Sequence, residues 1–157
     1  NSERRAPPRG EMAVVWDKLV RASDLSTASG YLAGNVTMTT ANTAYDGPGV
    51  SLEAGTWFVT GWVTVASAGS TAQRVTAYLW DGTTYYAEAE AAAPSQGTGN
   101  LKGYVAPSFV AIVTLGSTTT VKITCKSTAA SSVICRNPGD NSPAANHASG
   151  VVALKIA

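Results

Sequence analysis

Charged residues are scarce in this chain of 157 residues, where Asp, Glu, Lys and Arg make up 13% against the roughly 25% that is usual for soluble domains. Lysine and arginine total 11 and the acidic residues total 10, so the formal net charge is only +1. This balance argues against the basic surface with which nucleic-acid-binding domains contact phosphates. We therefore expect no nucleic acid among the partners. The hydrophobic content of 45% argues against a disordered chain.

Histidine and cysteine are almost as scarce as charge. His147 is the single histidine and lies in a polar segment, so a catalytic triad or a multi-histidine metal site would depend on this one residue. Cys125 and Cys135 are the two cysteines, and two thiolates alone cannot close a structural zinc site. We therefore expect no catalytic residue, no metal site and no cofactor.

The remaining signals for an enzyme or a membrane protein are also weak. No apolar run approaches the length of about 18 residues that suggests a membrane helix, so no membrane insertion is expected. Glu88 and Glu90 share one strand face, but two carboxylates without a cleft are more typical of a solvated face than of a glycosidase. Asp140 and Asn141 lack the ligand series of an EF-hand and are interpreted as a turn.

Alternation of apolar and polar residues is the strongest positive signal. A Gly/Pro turn at residues 45–49 is followed by a short strand, a second turn at residues 53–55 and a long strand over residues 56–65. One face of the long strand carries Trp57, Val59, Val63 and Val65; the other carries Phe58, Thr60, Trp62 and Thr64. This period of two predicts a sheet with one buried and one half-exposed face.

The same pattern continues to the end of the chain. The Asp81-Gly82 pair lies between two strand-like runs and predicts a tight hairpin. With about eight strands and no convincing helix after residue 25, the sequence predicts an all-β protein, an antiparallel β-sandwich or jelly roll. Residues 91–103 and 137–150 are rich in small and polar residues, so we expect them to form surface loops that could make contacts.

The beginning of the chain differs in composition from the rest. Residues 1–12 are predicted to form an extended arm, residues 13–30 a connecting segment and residues 31–157 the jelly-roll domain. The arm combines basic residues and prolines, namely Arg4, Arg5, Pro7, Pro8 and Arg9. Such a segment is either a solvated tail or an anchor that docks onto a larger assembly.

Two further groups of residues have open interpretations. Cys125 and Cys135 share strand phases with apolar neighbours, so they are either two small core residues or the halves of a cross-strand disulfide. The aromatic side chains would pack against the opposing sheet, a neighbouring subunit or a sugar, with inter-sheet or inter-subunit packing as the first expectation. This group consists of Trp57, Phe58, Trp62, Tyr78 and Trp80.

Several strand motifs carry a resemblance to a known family. They are Thr-Thr-Ala-Asn-Thr-Ala-Tyr-Asp-Gly-Pro at residues 39–48, Val-Ser-Leu-Glu-Ala-Gly-Thr-Trp at 50–57, Leu-Trp-Asp-Gly-Thr-Thr-Tyr-Tyr-Ala at 79–87, and the strands within residues 111–122 and 150–157. Together they resemble phage tail-fibre and head-appendage domains with a C1q/TNF-like jelly roll. The resemblance covers roughly residues 30–157, and it implies a homotrimer on the virion surface with no catalytic residues.

We therefore expect a non-enzymatic phage virion protein that decorates or cements the capsid, or forms a head fibre, with its arm docked onto other virion proteins. The chain contains no long collagen-like or coiled-coil stalk, which favours decoration over a fibre tip. The alternative is a receptor-binding tip of a tail or head fibre, part of the fibre or baseplate, whose loops recognise a host glycan or protein. A carbohydrate-active enzyme is a third hypothesis, and the missing catalytic constellation disfavours it.

Overall fold

A computed structural model describes residues 25–67, 72–93, 103–136 and 148–157 of the chain. These ranges contain twelve β-strands. They are β1 (Thr27–Tyr31), β2 (Val36–Met38), β3 (Tyr45–Leu52), β4 (Gly55–Trp62), β5 (Val65–Ala66), β6 (Gln73–Trp80), β7 (Tyr85–Ala93), β8 (Tyr104–Val105), β9 (Ser108–Leu115), β10 (Thr119–Ser127), β11 (Ser132–Ile134) and β12 (Gly150–Lys155).

The strands form three antiparallel sheets. Sheet I has the order β1-β12-β4-β9, sheet II has the order β3-β10-β6-β7, and the small sheet III has the order β2-β11-β5-β8. In sheets I and II, β1 pairs with β12, β3 with β10, β4 with β9 and β6 with β7. Each pair encloses the next along the chain, which is the strand arrangement of a jelly roll. The predicted fold class is confirmed.

The hydrophobic core lies between sheets I and II. The predicted buried face of β4 and β5 is confirmed: Trp57 is 2% exposed, and Val59, Val63 and Val65 are fully buried. From sheet II, Leu79 of β6 and the β10 side chains Val121 and Ile123 meet them. The sandwich is therefore held together by burial of apolar side chains that alternate along each strand.

The Gly/Pro turn predicted at residues 45–49 is wrong, because these residues form the first half of β3. Strand β3 lies at an edge of sheet II, where the missing N–H of Pro48 is tolerated. Its pairing with β10 shifts register between Lys122 and Thr124, which accommodates the irregular backbone beside the proline. The turn at residues 53–55 is confirmed: β3 ends at Leu52, and the Trp57 indole Nε1 donates to the carbonyl oxygen of Glu53 at 3.0 Å.

The single long strand predicted over residues 56–65 is divided in the structure. Strand β4 ends at Trp62 and β5 begins at Val65 in sheet III. Thr64 lies between the two strands and belongs to neither. Its backbone N–H donates to Ser149 Oγ at 3.0 Å, and its hydroxyl donates to the carbonyl oxygen of Ala148 at 2.7 Å. These side-chain bonds, which involve residues far away in sequence, bend the chain out of sheet I.

The Asp81-Gly82 hairpin is confirmed, with Gly82 in the left-handed region at φ 101°. The Asp81 carboxylate closes the turn by accepting from the Thr83 and Thr84 backbone N–H groups at 2.8 Å and from the Tyr86 hydroxyl at 2.6 Å. The bond from Tyr86, together with those from Thr84 and Thr83, holds the pKa of Asp81 well below its usual value. Burial and the neighbouring carboxylate raise the pKa of Tyr86 to about 12.

The structure bears on two further sequence expectations, the start of the jelly-roll domain and the interpretation of the two cysteines. Strand β1 begins at Thr27, within the predicted connecting segment, and pairs with β12, so the sandwich begins before residue 31. Cys125 and Cys135 are both buried and form no disulfide with each other, so the structure supports the core interpretation. Cys125 pairs with Ala77 in sheet II, whereas the N–H of Cys135 donates to Thr64 beyond the end of β11. Burial raises the pKa of the Cys125 thiol to about 12.

The open side of the sandwich next to β1 is closed by a backbone contact between two glycines. A Cβ atom at Gly30 of β1 would lie 1.9 Å from the carbonyl oxygen of Gly49 in β3. No side chain fits at that distance, so the two sheets can meet here only where residue 30 has no Cβ.

Replacing Gly30 with alanine should therefore destabilise the fold by about 3 kcal/mol or more, because β1 must separate from β3. Gly34→Ala is the matched control, since a Cβ at Gly34 has nothing within 4 Å, and it should change the stability by less than about 0.5 kcal/mol. Urea denaturation measures both. Equal stability of the two variants would contradict the close approach.

Candidate functional site

Within the described ranges, the acidic side chains do not gather into a metal centre. Among the described residues, no group of three or more His, Cys, Asp or Glu side chains could hold a metal ion. No helix in those ranges is long and apolar enough to cross a membrane. Glu88 and Glu90 are exposed on β7, as predicted for a solvated face. Glu90 accepts from the Thr76 hydroxyl at 3.0 Å and lies 3.7 Å from Arg74 Nε.

Several predicted contact residues lie outside the described ranges. These are the arm residues Arg4, Arg5, Pro7, Pro8 and Arg9, the single histidine His147, the pair Asp140 and Asn141, and most of the two predicted loops. Their interpretation stays a prediction. The outward faces of sheets I and II lie within the described ranges.

The predicted aromatic group divides between the core and these outward faces. Trp57 is the member that packs between the sheets. Phe58 and Trp62 alternate with it and point outward from sheet I, and Tyr78 and Trp80 point outward from sheet II. These four side chains do not pack between the sheets, because the strand phase that buries Trp57 and Leu79 turns them to the opposite side. Inter-subunit packing stays a prediction for them.

The outward side of sheet I forms the first candidate surface, which we call the apolar face. Strand pairing arranges it in cross-strand rows, of which the first contains Leu154, Phe58 and Ile112 and the second contains Val152, Thr60 and Val110. Val110 is 62% exposed, Ile112 is 58% exposed and Phe58 is 41% exposed. These are large apolar side chains held next to one another in water.

No charged residue interrupts the apolar face. The positions between and around its two rows are the hydroxyl residues Thr27, Ser29, Thr56, Ser108 and Thr114, and a third row formed by Tyr31, Gly150 and Trp62. The rings of Tyr31 and Trp62 lie 6.3 Å apart and cover Gly150, where a Cβ would come within 2.7 Å of Tyr31. The whole outward side of a four-stranded sheet is therefore uncharged.

The outward side of sheet II has the opposite character, and we call it the charged face. It carries charged side chains on all four strands, namely Asp46 on β3, Lys122 and Lys126 on β10, Arg74 on β6, and Glu88 and Glu90 on β7. Because most of the chain's few charges in the described ranges lie here, this is the side that is best suited to stay in water.

A ring of four side chains organises the charged face around Trp80. The Trp80 indole Nε1 donates to Thr124 Oγ1 at 2.5 Å, and the Thr124 hydroxyl donates to Asp46 Oδ1 at 2.8 Å. Lys122 Nζ donates to Asp46 Oδ2 at 2.6 Å and lies 5.5 Å from the centre of the Trp80 ring. Partial burial alone would raise the pKa of Asp46, but the bonds from Lys122 and Thr124 outweigh it, so the pKa is lowered.

Comparison with solved structures identifies the fold. Eiger TNF from S. frugiperda matches with a TM-score of 0.54 at 12% identity, over 85% of this chain and 93% of that chain. Two crystal structures of murine APRIL match with TM-scores of 0.54 and 0.52 at 8% and 9% identity, over 84% of this chain and 99% of each. Identity this low shows the fold alone, a TNF-like jelly roll. No protein-family model matches the sequence, and no curated protein matches it either.

Replacing Thr124 with valine should test the ring on the charged face, because valine keeps the shape and removes both bonds of the hydroxyl. We expect a loss of about 1–2 kcal/mol at neutral pH and a rise in the pKa of Asp46 followed by NMR titration. Thr120→Val is the control, because Thr120 is an exposed position of the same strand. It should lower the free energy of unfolding by less than about 0.5 kcal/mol.

The pH dependence of that loss has a defined sign. A carboxylate with a lowered folded pKa stabilises the protein above its unfolded pKa of about 4, and the stabilisation disappears as the pH falls towards the folded value. The difference between Thr124→Val and the parent should therefore shrink below about pH 4. A difference that grows in acid would contradict the bond to Asp46.

Proposed function

We propose that this protein is a non-enzymatic structural protein of a phage virion, and that it assembles as a homotrimer through the apolar face. The observation that carries the proposal is the absence of charge from the outward side of sheet I, where Phe58, Val110 and Ile112 are exposed. Depletion of charge, with aromatic residues present, is the composition typical of the centre of a protein interface.

Energetics favour covering this face. Each Å² of apolar surface removed from water contributes about 25 cal/mol, so continuous packing of Leu154, Phe58 and Ile112 against another subunit would stabilise the assembly by several kcal/mol. An apolar surface of this kind left open would promote aggregation. The charged face lies on the other side of the sandwich and would remain in water.

A second copy of the chain is the occupant that best fits the face. Most soluble oligomers are closed, symmetric assemblies of identical chains, and the C1q/TNF-like resemblance of the sequence implies a trimer. A TNF-like fold supports this choice without establishing the number of subunits. A partner with a complementary charge is disfavoured, because the face offers it no charge to pair with.

The virion role rests on the arm and on the phage resemblance of the strand motifs. The arm with Arg4, Arg5 and Arg9 would dock onto the capsid, and three arms in one trimer would bind together with a high effective concentration. Because the arm would bind the assembled shell and not its separate subunits, this binding would stabilise the shell relative to the dissociated subunits. Capsid decoration is therefore the role that we propose.

Ile112→Glu should break the trimer, because a carboxylate on the apolar face would be buried without a partner. Light scattering after size exclusion should give three times the chain mass of 16.1 kDa for the parent and the single-chain mass for the variant. Thr120→Glu, on an exposed position of sheet II, is the matched control and should stay trimeric. A monomeric parent, or a trimeric Ile112→Glu variant with the parent's circular dichroism, would refute the proposed interface.

Removal of residues 1–11 should abolish co-sedimentation with capsids that lack the protein, while the trimer mass and thermal stability stay unchanged. A second variant, in which Arg4, Arg5 and Arg9 are replaced by serine, separates charge from length and should weaken binding in a salt-dependent way. Undiminished capsid binding without the arm would contradict decoration. If capsid binding persists without the arm, and substitutions in the loops at residues 91–103 and 137–150 abolish adsorption to host cells, the receptor-binding alternative is correct.

A further inference from the structure

A compact aromatic cluster on the charged face has no role in the core or in the proposed subunit interface. It consists of Tyr78, Trp80 and Tyr85. None of the three is among the partly buried residues that pack against the core. Tyr85 is 65% exposed, the highest fraction of any large hydrophobic residue in the described ranges. Burial within the single chain therefore does not explain why three aromatic side chains are gathered on the charged face.

The backbone is irregular at the point that positions Tyr85. The pairing of β6 with β7 places Leu79 opposite Ala87 but Trp80 opposite Tyr85, so the register shifts between these two pairs. Such a bulge interrupts the ladder of hydrogen bonds and often re-aims a side chain. Here it turns Tyr85 towards Trp80, while the adjacent Tyr86 packs against the core.

The rings form a layered stack that is open at one end. The Trp80 and Tyr85 rings are nearly parallel, at 9°, with their centres 5.3 Å apart. Lys122 reaches the Trp80 ring from β10 and Tyr85 reaches it from β7, and these strands flank β6 on opposite sides. The order across the sheet is therefore Lys122, Trp80, Tyr85. Because β7 is an edge strand of sheet II and Tyr85 is 65% exposed, much of the Tyr85 ring remains accessible to a ligand.

Hydrogen-bonding groups of both kinds surround this stack. Lys126 Nζ lies 5.2 Å from the centre of the Tyr78 ring, and the Tyr78 ring lies edge-on to Tyr85 at 5.4 Å. The exposed carboxylate Glu88 is the cross-strand partner of Tyr78 on the same face. An ammonium donates and a carboxylate accepts, so a ligand that presents both donors and acceptors beside an apolar surface would be satisfied here.

We infer that the open face of Tyr85 binds a neutral saccharide. One side of a pyranose ring is a flat array of C–H groups that can continue the stack beyond Tyr85, as apolar surface does against an aromatic ring. The hydroxyl groups at its rim both donate and accept, which matches Lys126 and Glu88. A simple anion is disfavoured, because Glu88 lies beside the lysine, and a purely apolar ligand would leave both charges unsatisfied.

Saturation-transfer NMR with the intact protein tests the site, with maltotriose, mannotriose and triacetylchitotriose as probes. We expect transfer to ring protons of at least one of them, and a dissociation constant that Tyr85→Ala weakens at least about tenfold. Tyr85→Phe keeps the ring and should retain the binding. Tyr104→Ala removes another exposed tyrosine, on β8 of sheet III, and should change the affinity by less than about twofold.

Two results would overturn the inference. One is no saturation transfer to any of the three sugars at concentrations of about 10 mM, roughly tenfold above a dissociation constant of 1 mM. The other is equal binding by Tyr85→Ala and the parent. The aromatic cluster lies within one chain, so the test gives the same answer for a monomer and for a trimer. Tyr85→Ala should leave the number of subunits in the assembly unchanged.

Discussion

Pairing between the two ends of the described chain is the constraint on which the rest of the structure depends. Thr27 of β1 lies opposite Leu154 of β12, and every other long pairing in sheets I and II is nested inside this one. Closing so long a loop is entropically costly, so the ladder holds only because the apolar side chains beneath it are buried at the same time. Cooperation between distant pairing and burial, rather than any local element, defines this fold.

That constraint also explains why the two outward faces differ. Strand alternation gives every sheet an inner and an outer side, and the nested order brings β1, β12, β4 and β9 together on one side of the core. Their outward residues are distant in sequence, for example Ile112 and Leu154, yet all of them are uncharged. Most of the charged side chains in the described ranges lie on the outward side of sheet II instead. A division this complete distinguishes a side that is suited to packing from a side that is suited to water.

The sequence was sufficient to predict what depends on local periodicity. The alternation around Trp57 and Val59 predicts their burial, and the Asp81-Gly82 pair predicts the hairpin, because both signals are contained in a few consecutive residues. The first half of β3 could not be predicted, since Gly47 and Pro48 are typical turn residues and only the edge position beside β10 makes them acceptable in a strand. The division of residues 56–65 was equally inaccessible, because it depends on Thr64 bonding to residues 148 and 149.

The candidate surfaces were predictable only in part, for a related reason. Periodicity correctly places Trp57 and Trp62 on opposite sides of one strand, but it does not say which sheet each outward ring belongs to or which rings meet. Trp80 and Tyr85 lie in neighbouring positions of a hairpin, and regular pairing would have put Tyr86 opposite the tryptophan. The register shift between the pairs Leu79–Ala87 and Trp80–Tyr85 determines which tyrosine meets the tryptophan. Such a shift has no signature in the sequence of either strand.

The aromatic residues therefore have three separate physical roles in one small domain. Trp57 fills the core and donates its indole N–H to Glu53, so its polar atom is satisfied inside the fold. Phe58 has no polar atom and lies on a face without charges, where only another apolar surface can satisfy it. Trp80 donates its indole N–H to Thr124, and its ring contacts Lys122 and Tyr85 on the outward side of sheet II. An exposed and partly polar aromatic stack is suited to contact a ligand that is itself both apolar and hydroxylated, whereas the face around Phe58 is suited to a second protein subunit.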